Sequence, residues 1–270
     1  MSAAPRDVIR SASNPVFQRV RAVRAGKERE LVLLEGARLV ADARALGLSF
    51  DLLLLEEGRP DTAGLPEPPS AARFVARALM QRLSGLETSP GVLALVERPA
   101  RLTLDALDLT PRGGVAGLAL AVAGIADPGN LGALARSAEA AGARALIVVR
   151  GGARPFGEKA LRGSMGALLR LPVIEVDDAA EALRALALRG VHQVAASVGG
   201  GTPYTAFDFS PPLVLWMPGE VGEVEQASGI SAALKELPRI RIPMAGQVES
   251  LNVTVAASLL LFAAGRAPRA

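Results

Sequence analysis

Residues 118–149 read LALAVAGIADPGNLGALARSAEAAGARALIVV, and the fold class follows from how that stretch divides. Leu118–Ala123 is an apolar run of strand length. Pro128 and Gly129 make a turn, and Asn130 stands where it can cap a helix over Leu131–Ala141. Leu131, Leu134, Ala135 and Ala138 form one apolar stripe on that helix, and Gly142 suits its C′ position. Ala145–Val149 is the next strand. A strand, a helix and a strand in this order are the unit of a parallel sheet.

The alternation continues downstream. Lys159–Leu168 reads as a helix, Val173–Val176 as a strand and Ala179–Leu188 as a helix. Val194–Ala196 and Leu213–Met217 are strands, Ile230–Glu236 is helical, Ile240–Ile242 is a strand and Leu251–Ala264 is the last helix. The expected architecture is α/β, a parallel sheet covered on both faces, with a ligand site beyond the carboxyl ends of its strands.

Upstream, a smaller α/β unit is expected. Phe17–Arg24 is helical, Arg29–Glu35 a strand, Gly36–Leu46 a helix and Asp51–Leu55 a buried strand. Pro60–Pro69 holds four prolines and reads as a loop. Phe74–Leu83 has the helical period, and Gly91–Val96 is a short strand. The best boundary is the stretch from Pro99 to Gly114, so residues 1–98 form a first domain, 99–114 a linker and 115–270 a second domain.

Half of the 270 residues are apolar, 21% are charged and only 3% are aromatic, so the core is built from Ala, Leu and Val. Neither Gly113–Ala126 nor Val253–Gly265 reaches the ~18–20 apolar residues of a spanning helix. Met1–Arg10 lacks the apolar run of a signal peptide, and the reading is a soluble protein. With no Cys and one His, disulfides, thiol chemistry, structural zinc and His-based metal clusters are excluded, and no metal is expected. His192 is read as a structural strand residue. The net charge of +3 names no partner, but its distribution does more. Met1–Arg29 and Arg136–Arg170 each hold seven basic residues against two acidic ones. Arg supplies 27 of the 30 basic residues, the better side chain for forked contacts with phosphate.

No G-x-G-x-x-G and no G-x-x-x-x-G-K-[ST] occurs, which counts against a dinucleotide fingerprint and a P-loop. Arg136 lies off the apolar stripe of its helix. Helical side chains lean toward the N-terminus, so it is aimed back over Gly132 at the loop holding Asn130. Near the C-terminus, Ser250 opens the last apolar helix, whose free N–H groups favour an anion or a bound carboxylate.

Asn130…Arg136 together with Ile242-Pro-Met-Ala-Gly-Gln-Val-Glu-Ser250-Leu-Asn252-Val resembles motifs 1 and 3 of the SpoU (TrmH) family of RNA ribose 2′-O-methyltransferases. Lys159-Ala-Leu-Arg-Gly-Ser-Met-Gly-Ala167 is similar to that family's R-x-S-x-G-A segment. Ser11-Ala-Ser-Asn-Pro-Val-Phe-Gln-Arg-Val, with Leu34-Glu-Gly-Ala-Arg-Leu-Val40, resembles the N-terminal RNA-binding domain of its rRNA-directed branch. The resemblance implies a deep trefoil knot in the second domain, an L30e-like first domain, a cytoplasmic homodimer, and S-adenosylmethionine as methyl donor to rRNA. It assigns catalysis to Arg136, Asn130, Ser250, Asn252 and Glu220. Cofactor binding falls to Met217, Pro218, Gly219, Ile242, Met244, Ser250 and Leu251. RNA contacts fall to Arg19, Arg21, Arg24, Arg29 and Arg162. A guanidinium has no practical acceptor form, so Arg136 is expected to hold phosphate and polarise the 2′-oxygen rather than act as base.

One motif departs from the pattern. The family's G-x-E-x-x-G is here Leu215-Trp-Met-Pro-Gly-Glu220-Val-Gly222, with Met217 where the first Gly is expected if Pro218 and Gly222 are aligned. Met217 is expected to crowd the cofactor, with packing of its flexible thioether against the adenine as the alternative. The departure keeps open a non-catalytic RNA-binding or ribosome-associated protein of this fold; a tRNA 2′-O-methyltransferase is the alternative on the substrate side, with rRNA favoured by the N-terminal segment. A small-molecule α/β enzyme would leave the basic N-terminal segment unexplained.

Overall fold

The computed structural model describes residues 8–59, 72–111, 117–219 and 234–265. The proline-rich loop at 60–69, Glu220, Gly222 and the start of the helix expected at 230–236 lie outside the described residues. The chain divides into two compact units, Met1–Ala100 with Phe156–Arg162, and Arg101–Pro155 with Gly163–Ala270.

Unit 1 is built on five strands, β1 (Val8–Ile9), β2 (Leu31–Glu35), β3 (Phe50–Glu56), β4 (Ala72–Val75) and β5 (Val92–Glu97), in the order β1-β4-β3-β5-β2. The pairs β1–β4 and β4–β3 are parallel; β3–β5 and β5–β2 are antiparallel. Helix α1 (Pro15–Arg24) starts where Asn14 Oδ1 accepts from the Val16 N–H at 2.9 Å, with Pro15 at the first helical position. Its Phe17, Val20 and Val23 share a core with Leu54, Met80, Leu93 and Leu95. α2 (Ala37–Ala45) packs against β2 and β5.

The single helix expected over Phe74–Leu83 is instead strand β4 followed by α3 (Arg77–Leu83). Phe74 and Val75 have strand-favouring side chains and sit between β1 and β3, so pairing on both edges overrides a helical spacing of apolar residues.

Unit 2 carries a seven-stranded sheet. Its strands are β6 (Leu118–Ala123), β7 (Leu146–Val149), β8 (Val173–Val176), β9 (His192–Ala196), β10 (Thr202–Pro203), β11 (Leu213–Pro218) and β12 (Arg239–Arg241). The order is β10-β12-β9-β11-β6-β7-β8, and every pair is parallel. The parallel sheet is therefore the expected one. On one face, Ala119, Ala121, Ala123, Ile147, Val214 and Trp216 pack on Leu107, Leu109 and the apolar side of α7 (Ala179–Leu188). Small alanines on β6 leave room for Trp216 of β11, which is fully buried. Its Nε1–H donates to Gln193 Oε1 at 3.1 Å, and Gln193 Nε2 donates to the Leu183 carbonyl at 2.9 Å. Residues alternate along a strand, so Leu120, Val122, Leu215 and Met217 point to the other face. α4 (Pro128–Ala140) and α8 (Val253–Ala264) pack on one another, and α8 also packs on β11.

Three helix expectations in this region need correction. Asn130 is not the cap of α4: Asp127 Oδ1 accepts from the Gly129 and Asn130 N–H groups at 2.5 and 3.0 Å, and Pro128 takes the first helical position. Ser250 does not cap the last helix; Asn252 does, accepting from the Thr254 N–H at 2.8 Å. The helix expected over Lys159–Leu168 is broken into α5 (Glu158–Ser164) and α6 (Ala167–Arg170), because Met165 (φ 50°) and Gly166 (φ 85°) are left-handed. Among the described residues no helix is long and apolar enough to cross a membrane.

Candidate active site

A cavity of about 450 Å³ opens at the carboxyl ends of three adjacent strands of unit 2. β9 contributes Ala196 and the following Ser197 and Val198; β11 contributes Met217 and Pro218, followed by Gly219. Beyond β12 the wall runs through Ile242 and Met244 to Glu249, Ser250 and Leu251, and the first turns of α8 close it with Val253, Ala256 and Leu260. The volume lies in the range of small-molecule sites, roughly 300–1,000 Å³. Its mostly apolar wall suits the flat face of an aromatic ring.

All seven residues expected to bind cofactor line this single cavity: Met217, Pro218, Gly219, Ile242, Met244, Ser250 and Leu251. Met217 is placed differently from the expectation of a loop residue. It belongs to β11, faces Val122 of β6 in register and is only 3% exposed. The close backbone approach is made by Gly219, whose N–H donates to the Ala123 carbonyl at 2.6 Å. A Cβ on Gly219 would stand 2.1 Å from the Gly124 carbonyl oxygen.

Arg136 and Asn130 lie on α4, outside the cavity wall. Arg136 is exposed and makes no hydrogen bond or ion pair among the described residues. Asn130 is half-buried in the first turn. Asn252 spends its side-chain oxygen on the α8 cap and keeps its amide donors. His192 is exposed at the start of β9.

The arginines expected to touch RNA divide into two groups. Arg24 donates from Nε and Nη2 to the two carboxylate oxygens of Glu158, both at 2.7 Å. Arg162 Nη1 reaches Glu35 Oε2 at 3.3 Å; Glu35 is buried and also accepts from the Gly85 N–H and the Ser84 hydroxyl. Arg19 is paired with Glu28 and Asp51, and the hydrogen bond to Glu28 raises its pKa above the ordinary guanidinium value. Arg21 and Arg29, by contrast, are exposed and form no ion pair among the described residues.

Ser197, Val198 and Glu249 are wall residues that sequence reasoning missed. A signal existed for the first two: Ser197-Val-Gly-Gly-Gly201 ends a strand, and Gly200 and Gly201 adopt positive φ. Such a run marks a tight turn next to the strand end. Among the described residues no group of three or more His, Asp or Glu side chains could hold a metal ion.

A parallel α/β unit with an apolar cavity at its strand ends defines a small-molecule-binding α/β domain. The chain belongs to the SpoU rRNA Methylase family, whose family model matches residues 117–262. It is 34% identical over 223 residues to a 23S rRNA (guanosine-2′-O-)-methyltransferase of Xylella fastidiosa, covering 79% of this chain and 87% of that protein. It is 28% identical over 263 residues to the 23S rRNA (guanosine(2553)-2′-O)-methyltransferase of Bacillus subtilis, covering 94% and 97%. Among solved structures, an AdoMet-bound rRNA methyltransferase from Sinorhizobium meliloti superposes with a TM-score of 0.78 at 27% identity, covering 96% of this chain and 97% of that one. The SpoU methyltransferase AviRb from Streptomyces viridochromogenes, in complex with AdoMet, superposes with a TM-score of 0.77 at 27% identity, covering 94% and 98%.

Proposed function

We propose that this chain methylates a ribose 2′-hydroxyl of RNA, with S-adenosylmethionine as donor and 23S rRNA as substrate. The observation that carries the reading is the convergence of seven motif residues, from Met217 to Leu251, on one apolar cavity at the strand ends. Bound there, S-adenosylmethionine supplies an electrophilic methyl group. Met217, Ile242, Leu251 and Leu260 would enclose the apolar part of the ligand, and Gly219 lets the ends of β11 and β6 close on one another at the cavity wall. Arg136 holds the RNA phosphate with its forked donors and stabilises developing negative charge on the 2′-oxygen. Asn130, Ser250, Asn252 and Glu220 complete the site, hydrogen-bonding substrate or cofactor. The test is incubation with tritiated S-adenosylmethionine and 23S rRNA transcripts. Label at a ribose 2′-oxygen supports the reading, and label on a base sinks it.

Unit 1, in this reading, is the L30e-like RNA-binding domain, divided from the methyltransferase domain near residues 99–114. Its grip is electrostatic, and Arg21 and Arg29 carry it because their charges have no partner among the described residues. Arg21→Ala and Arg29→Ala should each weaken RNA binding and reduce the slope of log affinity against log salt by roughly 0.7–0.9. Arg24→Ala should instead lower stability, since it removes both hydrogen bonds to the Glu158 carboxylate and leaves it only the longer 3.9 Å pairing with Arg162. Filter binding across a salt series, with melting curves, separates the two classes. An unchanged slope in the Arg21 and Arg29 variants overturns the assignment.

The same reading includes a deep trefoil knot in the second domain, a cytoplasmic location beside the ribosome, and a homodimer. An apolar stripe on α8 supports the dimer. Val255, Leu259 and Phe262 recur at helical spacing and are 49%, 42% and 45% exposed, beside the buried Ala257, Leu260 and Leu261 that face the unit's own core. Phe262→Asp should convert the dimer to monomer in sedimentation without unfolding it. A wild-type chain that sediments as a monomer would remove the dimer from the proposal.

A further inference from the structure

We propose that Glu249 is the counter-charge to the sulfonium centre of the methyl donor, and so sets the preference of the site for donor over demethylated product. The proposal rests on the reading of the cavity as the S-adenosylmethionine site.

Of the described residues lining the cavity, Glu249 is the only charged one. The rest of the wall offers two hydroxyls, Ser197 and Ser250, two thioethers, Met217 and Met244, and otherwise apolar side chains and backbone. Glu249 forms no hydrogen bond or ion pair among the described residues, so its carboxylate is not committed to the protein's own structure. Val253, the first residue of α8, also lines the cavity, which brings a helix N-terminus with its partial positive charge to the same wall. That dipole favours the anionic end of an amino-acid ligand and disfavours a cation. A carboxylate four residues before the helix reverses the balance locally.

The charges of the two ligands make the consequence specific. S-adenosylmethionine carries a carboxylate, an ammonium and a sulfonium group, and is a net cation at neutral pH. S-adenosylhomocysteine keeps the first two and has a neutral thioether at sulfur. A carboxylate in a wall whose other described residues are uncharged therefore distinguishes donor from product by the charge at sulfur. Glu249 thereby helps the site to release what remains after transfer.

The full-length chain and its Glu249→Gln and Glu249→Asp variants are titrated separately with S-adenosylmethionine and S-adenosylhomocysteine by calorimetry. Gln keeps the size and loses the charge. It should weaken donor binding roughly fivefold or more while product binding changes less than about twofold, and Asp should restore part of the preference. Equal losses for both ligands would place the carboxylate against the ammonium group and overturn the proposal, as would no loss for either. A wild-type chain that binds neither ligand overturns the reading of the cavity itself, a result distinct from a wild type that binds both and a Gln variant that behaves identically.

Discussion

Replacing Arg136 by alanine should lower the single-turnover rate of methyl transfer roughly 10²–10³-fold, the effect of losing one preorganised donor to a developing oxyanion. Affinity for S-adenosylmethionine should stay within about twofold of wild type. The separation of the two effects follows from position. Arg136 stands off the apolar stripe of α4, outside the cavity wall, exposed and without a partner among the described residues. Its removal therefore leaves no buried group unsatisfied and costs little stability. Arg136→Lys is the sharper variant, because an ammonium is a point charge with no fork. Full activity in the Lys variant would refute a forked role, and weakened cofactor binding in the Ala variant would put Arg136 in the wrong subsite.

Gly219→Ala should be the most damaging single-methyl change in the cavity. The new Cβ would lie 2.1 Å from the Gly124 oxygen, 2.4 Å from its carbonyl carbon and 3.0 Å from the Ile125 nitrogen. All three are backbone atoms just past the end of β6, which pairs with β11 up to Pro218↔Ala123. Backbone at the end of two paired central strands cannot swing away as a side-chain tip can. The strand ends must part, at a cost of about 1–3 kcal/mol, and the wall at Met217–Gly219 moves with them. Cofactor affinity should fall more than roughly tenfold, measured by calorimetry beside a denaturant titration. Gly246→Ala is the control, since a Cβ there meets nothing within 4 Å and stability should be unchanged. Wild-type affinity in the Gly219 variant would mean that this strand end does not touch the cofactor.

What the sequence made readable, and what it hid, divides along physical lines. The apolar runs at Leu118–Ala123, Leu146–Val149 and Leu213–Met217 announce buried strands because both faces of a parallel sheet are covered. Strand order has no local signature: that β11 sits between β9 and β6 depends on crossovers of chain far apart in sequence. Helix starts were blurred for a local reason. Asp127 and Asn130, and likewise Ser250 and Asn252, are pairs of equally good caps a few residues apart. The cavity residues could be named because two short segments, at 217–219 and 242–251, resemble motifs of a known family, whereas Ser197 and Val198 come from a third segment with only a glycine run to mark it. Ion pairing was the least accessible property. Nothing near Arg24 in the sequence points to Glu158, 134 residues away.

The burial of Trp216 has an optical consequence. It is the sole tryptophan of the chain, and Tyr204 the sole tyrosine, and both belong to unit 2. Intrinsic fluorescence therefore reports on one unit alone, from an indole that is fully buried, fixed to Gln193, and one residue away from the cavity wall at Met217. Unit 1, with no tryptophan or tyrosine, melts without changing that emission directly, although its helices contribute to far-ultraviolet circular dichroism. Denaturation curves recorded by the two signals will superimpose only where both units unfold in a single cooperative step, and a lag between them measures how independently each one holds together.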